Sequence, residues 1–220
     1  MSIIDNLNHI KSTLPEHVTL VAVSKTKPVS DLMEAYNAGQ RIFGENKIQE
    51  MAEKHEEMPK DIEWHMIGHV QRNKVKYMAE FVDLIHGVDS FKLLNEINKQ
   101  AEKYGRTINC LFQIKIAEED SKFGMSASDA STLLQSEEFL NLKNIHIVGL
   151  MGMATFTDDL KQVEKEFQFL KNTFTELRAF HSELKTISMG MSGDYQLAIK
   201  NGSTMVRVGS SIFGTRNYNN

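Results

Sequence analysis

Short apolar runs rich in β-branched residues recur along the chain. Longer stretches between them place apolar residues three and four positions apart. The first run, 18–23, reads VTLVAV. Others follow at 41–43, 62–67, 81–86, 108–116, 145–151, 186–189 and 205–208. Most are nearly continuous in apolar character, as expected of strands covered on both faces. The spacing predicts helices between them at 28–37, 46–57, 71–80, 90–104, 126–135, 158–184 and 192–200, with an extra helix ahead of the first strand, before Lys11. In 158–184, Val163, Phe167, Leu170, Phe174 and Leu177 form one stripe for burial. Pro28 and Gly39 fit the start and stop of the first crossover helix, and Asn201-Gly202 fits the end of the last.

Eight strands alternating with helices imply a parallel sheet with right-handed crossovers. That number favours an α/β fold closed into a single (β/α)8 barrel of the TIM type, with an extra N-terminal helix. The rival is an open doubly wound sheet. No G-x-G-x-x-G follows any strand, so a dinucleotide site of that architecture has no support.

Composition narrows the function classes. The chain has 220 residues, 41% hydrophobic and 25% charged, with a net charge of -4. That balance suits an ordinary globule and argues against binding built on broad phosphate-backbone electrostatics, so no nucleic-acid partner is expected. Its three prolines, at 15, 28 and 59, sit near segment boundaries, and no low-complexity linker divides the chain. One domain over residues 1–220 is the simplest account. The single cysteine, Cys110, lies in an apolar run and reads as core packing. The opening MSIIDNLNHIKSTLP lacks the pattern of a secretory signal, and no run reaches the roughly 18 apolar residues of a membrane span. A cytoplasmic protein without a membrane partner is the expectation.

In such barrels chemistry gathers at the C-terminal ends of the strands. Lys25, in VAVSKTKP, falls just past the first strand. It is either a solvated strand-end lysine or an amine able to form a Schiff base with an aldehyde. Lys27 reads as solvent-facing. Glycines punctuate the C-terminal stretch from 188 to 214. Ser192 sits where a helix should begin, and Gly209-Ser210-Ser211 follows the last strand. Ser192 is an N-cap or part of a phosphate site; the backbone donors of two such turns could converge on one anion. Arg207, inside the apolar MVRVG, is expensive to bury unpaired. It is an internal ion-pair residue or faces a ligand, where it would donate to a ring nitrogen without losing its own proton. Asn46, in Gly44-Glu45-Asn46, is a helix cap or an amide aimed at the mouth. His65 and His69 lack a metal-binding pattern; no metal site is expected, and His65 reads as a core histidine. Arg72, Lys74 and Lys76 read as a solvated helix face. Met151, Met153, Met189 and Met191 read as core packing, with one wall of a ligand site as the alternative.

Six segments together resemble the pyridoxal phosphate homeostasis protein family along nearly the whole chain. They are AVSKTKP at 22–28, FGENKIQE at 43–50, WHMIGHVQRNK at 64–74, SKFG at 121–124, GLMGMA at 149–154, and SMGMSGDYQLAIKNGSTMVRVGSSIFG at 188–214. The resemblance implies a barrel like the N-terminal domain of alanine racemase, with pyridoxal 5'-phosphate (PLP) as cofactor, linked as an internal aldimine to Lys25. It implies that Asn46 lies in the cofactor pocket, that Ser192, Gly209 and Ser210 hold the phosphate, and that Arg207 faces the pyridine nitrogen. Lys122 of SKFG carries over as a peripheral lysine that handles PLP transiently. No catalytic residue is carried over.

The implied role is a carrier and buffer of PLP. Expected partners are PLP itself and apo forms of PLP enzymes as acceptors, and a monomer is expected. Only seven residues follow Phe213, which suggests that the β domain supplying a second acid/base in racemases is absent, so robust catalysis is not expected. The alternatives are a slow PLP-dependent racemase or lyase and an interaction module for PLP enzymes or kinases.

Overall fold

The structure, a computed structural model, describes residues 2–118 and 123–215. Eight parallel strands close into a barrel in sequence order. They are β1 (Thr19–Val23), β2 (Ile42–Glu45), β3 (Glu63–Met66), β4 (Leu84–Val88), β5 (Ile108–Gln113), β6 (Ile145–Met151), β7 (Thr186–Met191) and β8 (Met205–Val208). Closure is visible at Ala22, which pairs with Phe43 of β2 on one side and with Val208 of β8 on the other. Helix α1 (Ile3–Ser12) precedes the barrel. The crossovers carry α2 (Val29–Asn37), α3 (Ile48–Glu57), α4 (Phe91–Lys103), α5 (Ala127–Leu134), α6 (Glu137–Leu140), α7 (Leu160–Arg178) and α8 (Tyr195–Lys200), and α9 (Ser210–Phe213) follows β8.

Strand alternation builds two apolar layers. Val21, Ile67, Leu84, Leu111, Met151 and Met205 plug the barrel interior. The opposite strand faces, including Leu20, Ala22, Phe43 and Trp64, pack under the helices. All five stripe residues of α7 are buried. Asp159 sets its start by accepting from the Lys161 and Gln162 backbone N–H groups, and residues 179–184 of the predicted 158–184 helix are turn and loop.

Three more elements differ from the pattern-based expectation in type, existence or start. The crossover after β3 is a 3-10 helix, Arg72–Tyr77, where the spacing predicted an α-helix over 71–80. Within it Val75 is buried, and buried Met78 and Ala79 follow in the turn that closes it. The short α6 was not anticipated; Ser136 caps it by accepting from Phe139 N–H at 3.2 Å. Helix α8 starts at Tyr195 and not at Ser192. Asp194 sets that start: its Oδ1 accepts the Met191 N–H at 2.5 Å, and its carbonyl accepts the Ala198 N–H.

The register of β7 against β8 prepares the mouth. Ser188 is paired with Met205 and Met191 with Arg207, so three steps on β7 match two on β8. Gly190 sits in this bulge at φ +95°. A Cβ there would lie 2.6 Å from the Ala198 Cβ, so both backbone and packing demand glycine. The bulge delivers the 192–194 turn to the end of β8.

Candidate functional site

β1 runs into the first wall of the site. Val21 and Val23 face the barrel interior, and Lys25 follows two residues past Val23, half-buried in the turn after β1. Ser24, between them, faces outward. Its hydroxyl donates to Glu45 Oε1 at 2.6 Å and its N–H to the Gly44 carbonyl. Lys54 of α3 completes a buried network: its ammonium donates to the Ser24 carbonyl at 2.8 Å, to Glu45 Oε1 at 2.7 Å and to Glu50 Oε1 at 2.7 Å. Burial pushes the Glu45 carboxyl up from its ordinary pKa, and the Lys54 charge opposes that shift. Thr26, the next residue, turns the chain away at φ +63°.

The second wall comes from the ends of β7 and β8. Gly209 N–H and Ser211 N–H both point at Ser192 Oγ, at 3.2 and 3.5 Å. Gly209 also lies against β1, where a Cβ would come 3.0 Å from the Val23 carbonyl oxygen and 3.2 Å from its Cβ. Two backbone donors and a hydroxyl thus meet beside the strand that leads to Lys25. Ser192 is a turn residue ahead of α8 and not its N-cap, which is Asp194. Ser210 is exposed and opens α9.

Arg207 forms the floor. It is 3% exposed, paired in register with Val21 and hence directed inward. Its Nη1 donates to the Ser188 carbonyl at 2.9 Å and to Ser188 Oγ at 2.5 Å, and its Nη2 to the Gly152 carbonyl at 3.1 Å. Among the described residues it has no ion-pair partner, so the internal salt-bridge alternative is corrected. Burial pulls its pKa down to about 10, with the Asp194 charge opposing; it remains a cation near neutral pH. Behind Ser188 lie His86, whose Nδ1 is 3.1 Å from Ser188 Oγ, and His65, whose Nδ1 is 3.1 Å from His86 Nε2.

Other candidates are placed as follows. Asn46 is exposed just past β2, and the cap of α3 is Lys47, so the helix-cap alternative does not hold. Lys27 does not point to solvent. Its ammonium donates to the Phe213 carbonyl at 2.7 Å, tying the β1 loop to the end of α9. His65 is buried, as read, while His69 pairs with Asp89 at 3.5 Å and stacks on Phe123 at the mouth. Cys110 is buried, and burial pushes its thiol pKa up. Lys122 lies outside the described residues. Sequence reasoning missed Glu45, Glu50, Lys54, Ser188 and His86. The last two could have been found by counting in twos along β7 and β4.

Past β1 a lysine-bearing turn, past β7 and β8 two amides that share one hydroxyl, and inside the barrel a buried guanidinium lie toward the same end of the strands. Residues 1–217 match the family model described as alanine racemase, N-terminal domain. Alanine racemase of Clostridium difficile shares the fold with a TM-score of 0.79 at 15% identity, over 99% of this chain and 60% of that one. The chain belongs to the pyridoxal phosphate homeostasis protein family within that fold. A pyridoxal phosphate homeostasis protein of Vibrio alginolyticus is 40% identical, covering 99% of both chains. That of Escherichia coli K12 is 38% identical over 93% of this chain and 88% of its own. PipY of Synechococcus elongatus, solved with PLP bound, superposes with a TM-score of 0.89 at 34% identity, over 97% of this chain and 100% of that one.

Proposed function

We propose that this chain binds PLP covalently through the Lys25 amine and serves as a reversible carrier that limits the free cofactor. The observation that carries this reading is the sharing of Ser192 Oγ by the Gly209 and Ser211 amides beside Val23, two residues from Lys25. A phosphate in reach of those amides would take over donors that the serine hydroxyl otherwise accepts, with Ser192 turning from acceptor to donor and Ser210 at the rim. Arg207 faces the interior with N–H groups to offer a ring nitrogen, and Asn46 lies at the rim. Bound PLP supplies an electrophilic aldehyde and, when its ring nitrogen is protonated, an electron sink.

Arg207 also argues for carriage over turnover. A guanidinium cation donates but cannot accept, so it holds a ring nitrogen unprotonated and weakens the sink. The same reading makes residues 1–220 one PLP-binding barrel, a monomer of the cytoplasm that hands PLP to apo forms of PLP enzymes. The test is a visible spectrum of PLP-loaded protein and of Lys25→Ala, followed by incubation with amino acids in deuterated water. The carrier reading expects the imine band to vanish in the variant and Cα exchange to stay slow. Rapid Lys25-dependent exchange would support a racemase or lyase instead.

A further inference from the structure

Buried groups behind Arg207 form a line across the barrel. It runs from Arg207 on β8 through Ser188 on β7 and His86 on β4 to His65 on β3, each contact 2.5 to 3.1 Å long. Ser188 and His86 are wholly buried, and His65 is nearly so. Hydrogens buried this deep need partners, and those of Ser188 and His86 meet theirs within the line.

The direction of the line can be worked out from one end. Arginine has no acceptor, so the Nη1–Ser188 contact is a donation into Ser188 Oγ. The serine hydroxyl then has its own hydrogen to place. Among the described residues the acceptor within reach is His86 Nδ1, at 3.1 Å. His86 must carry no proton on Nδ1 if it accepts there. Burial also pulls the pKa of His86 well down, with His65 and Arg207 adding repulsion, so the ring is neutral and its one hydrogen is on Nε2. That hydrogen points at His65 Nδ1, 3.1 Å away. His65, pulled down to about 3 by burial, is neutral too and carries its hydrogen on Nε2.

We propose that Ser188, His86 and His65 are positioning residues for Arg207, acting as a one-way hydrogen-bond chain that runs Arg207 to Ser188 to His86 to His65. Each donation makes the donor atom a better acceptor for the group before it. Ser188 Oγ, giving its hydrogen to an imidazole, becomes a stronger acceptor for Nη1. Together with the Ser188 and Gly152 carbonyls it fixes the guanidinium plane with no carboxylate. A carboxylate there would neutralise the cation and could itself accept from a ring N–H. The chain holds Arg207 in place and leaves its charge intact. Its effect on cofactor rests on the PLP-carrier reading, but its hydrogen pattern does not.

The test begins with the ligand-free chain, labelled with 15N, and long-range proton–nitrogen spectra of the histidine rings. The proposal expects Nε2-protonated neutral rings for both His65 and His86, with neither titrating between about pH 5 and 8. In Ser188→Ala the His86 Nδ1 resonance should move toward a nitrogen that accepts nothing, and Ser188→Thr should bring it back. A proton on His86 Nδ1, or ordinary titration of either ring, overturns the chain. The second arm is PLP affinity. Ser188→Ala should lose on the order of tenfold, the scale of one hydrogen bond to a charged group, and Ser188→Thr should recover most of it. Unchanged affinity in Ser188→Ala with the predicted tautomers overturns the positioning role. Loss of the Lys25 adduct in the native chain would sink the carrier reading and leave the spectra to judge the chain alone.

Discussion

Glu50 Oε1 accepts the backbone N–H of Thr26 at 2.5 Å while holding the Lys54 ammonium at 2.7 Å. One carboxylate on α3 therefore pins the residue that follows Lys25, and Lys54 pins the carbonyl of the residue that precedes it. Thr26 needs that support. Its left-handed backbone costs about 1–2 kcal/mol for a residue with a Cβ. Thr26→Gly removes this cost but adds about 0.5–1 kcal/mol of backbone entropy. The expected change is thus a small gain in stability, about 0 to 1.5 kcal/mol. Glu50→Ala should cost about 1.5–3 kcal/mol, the range for hydrogen bonds to a charged group, and should slow formation of the PLP adduct more than it weakens it. Stopped-flow absorbance with denaturant melts checks both.

The ion pair behind this clamp has a sharper consequence. Glu45 is wholly buried and Lys54 is nearly so. Lys54→Met would leave the Glu45 carboxylate uncompensated, a loss of about 3–5 kcal/mol. Glu45→Gln in the same background should recover part of it by removing the stranded charge. Urea unfolding of the two variants measures the difference. Equal stability would contradict the view that the charge is what hurts.

The carrier reading places Ser192 at the phosphate, apart from the rest of the ligand. Ser192→Ala leaves the Gly209 and Ser211 amides but removes the hydroxyl between them. PLP affinity should fall about ten- to a hundredfold, as for one charge-assisted hydrogen bond. Pyridoxal, which lacks the phosphate, should bind the variant as it binds the parent. Equal losses for both ligands would place Ser192 away from the phosphate.

The barrel was legible because strand character and position coincide. The 145–151 and 205–208 runs are β6 and β8 residue for residue. The fifth run overshot by three residues, since Ile114 and Ile116 are apolar and buried but, with exposed Lys115 between them, lie past the end of β5. Lys25, Ser192, Gly209 and Arg207 stood out because polar or glycine positions interrupt apolar strands at the end where chemistry gathers. Glu45, Glu50 and Lys54 did not. Their meeting depends on how α3 packs beside the β1 loop, which no local period encodes. Lys27 was misread for the same reason: its acceptor is the Phe213 carbonyl, which only closure of the barrel brings near.

The interior histidines predict how stability follows pH. His65 and His86 are both held well below the ordinary value of 6.5 by burial. The unfolded chain therefore takes up protons that the native chain refuses. Stability is fully present above about pH 6.5 and falls as pH drops through the window toward about 3, the folded value of His65. Each histidine contributes a slope of up to about 1.4 kcal/mol per pH unit. The carboxyls of buried Glu45 and half-buried Asp83 and Asp194, raised chiefly by burial, bind protons more readily in the native state and oppose this near the acid end. Thermal melts from pH 7.5 down to about 5 should show a falling Tm, with a shallower fall in His86→Phe.

Borohydride reduction of the PLP-loaded chain, followed by mass spectrometry of its peptides, bears most directly on the carrier. The account predicts one dominant phosphopyridoxyl adduct, on Lys25, absent from Lys25→Ala. A dominant adduct on any other lysine, or an undiminished visible band in Lys25→Ala, would contradict it.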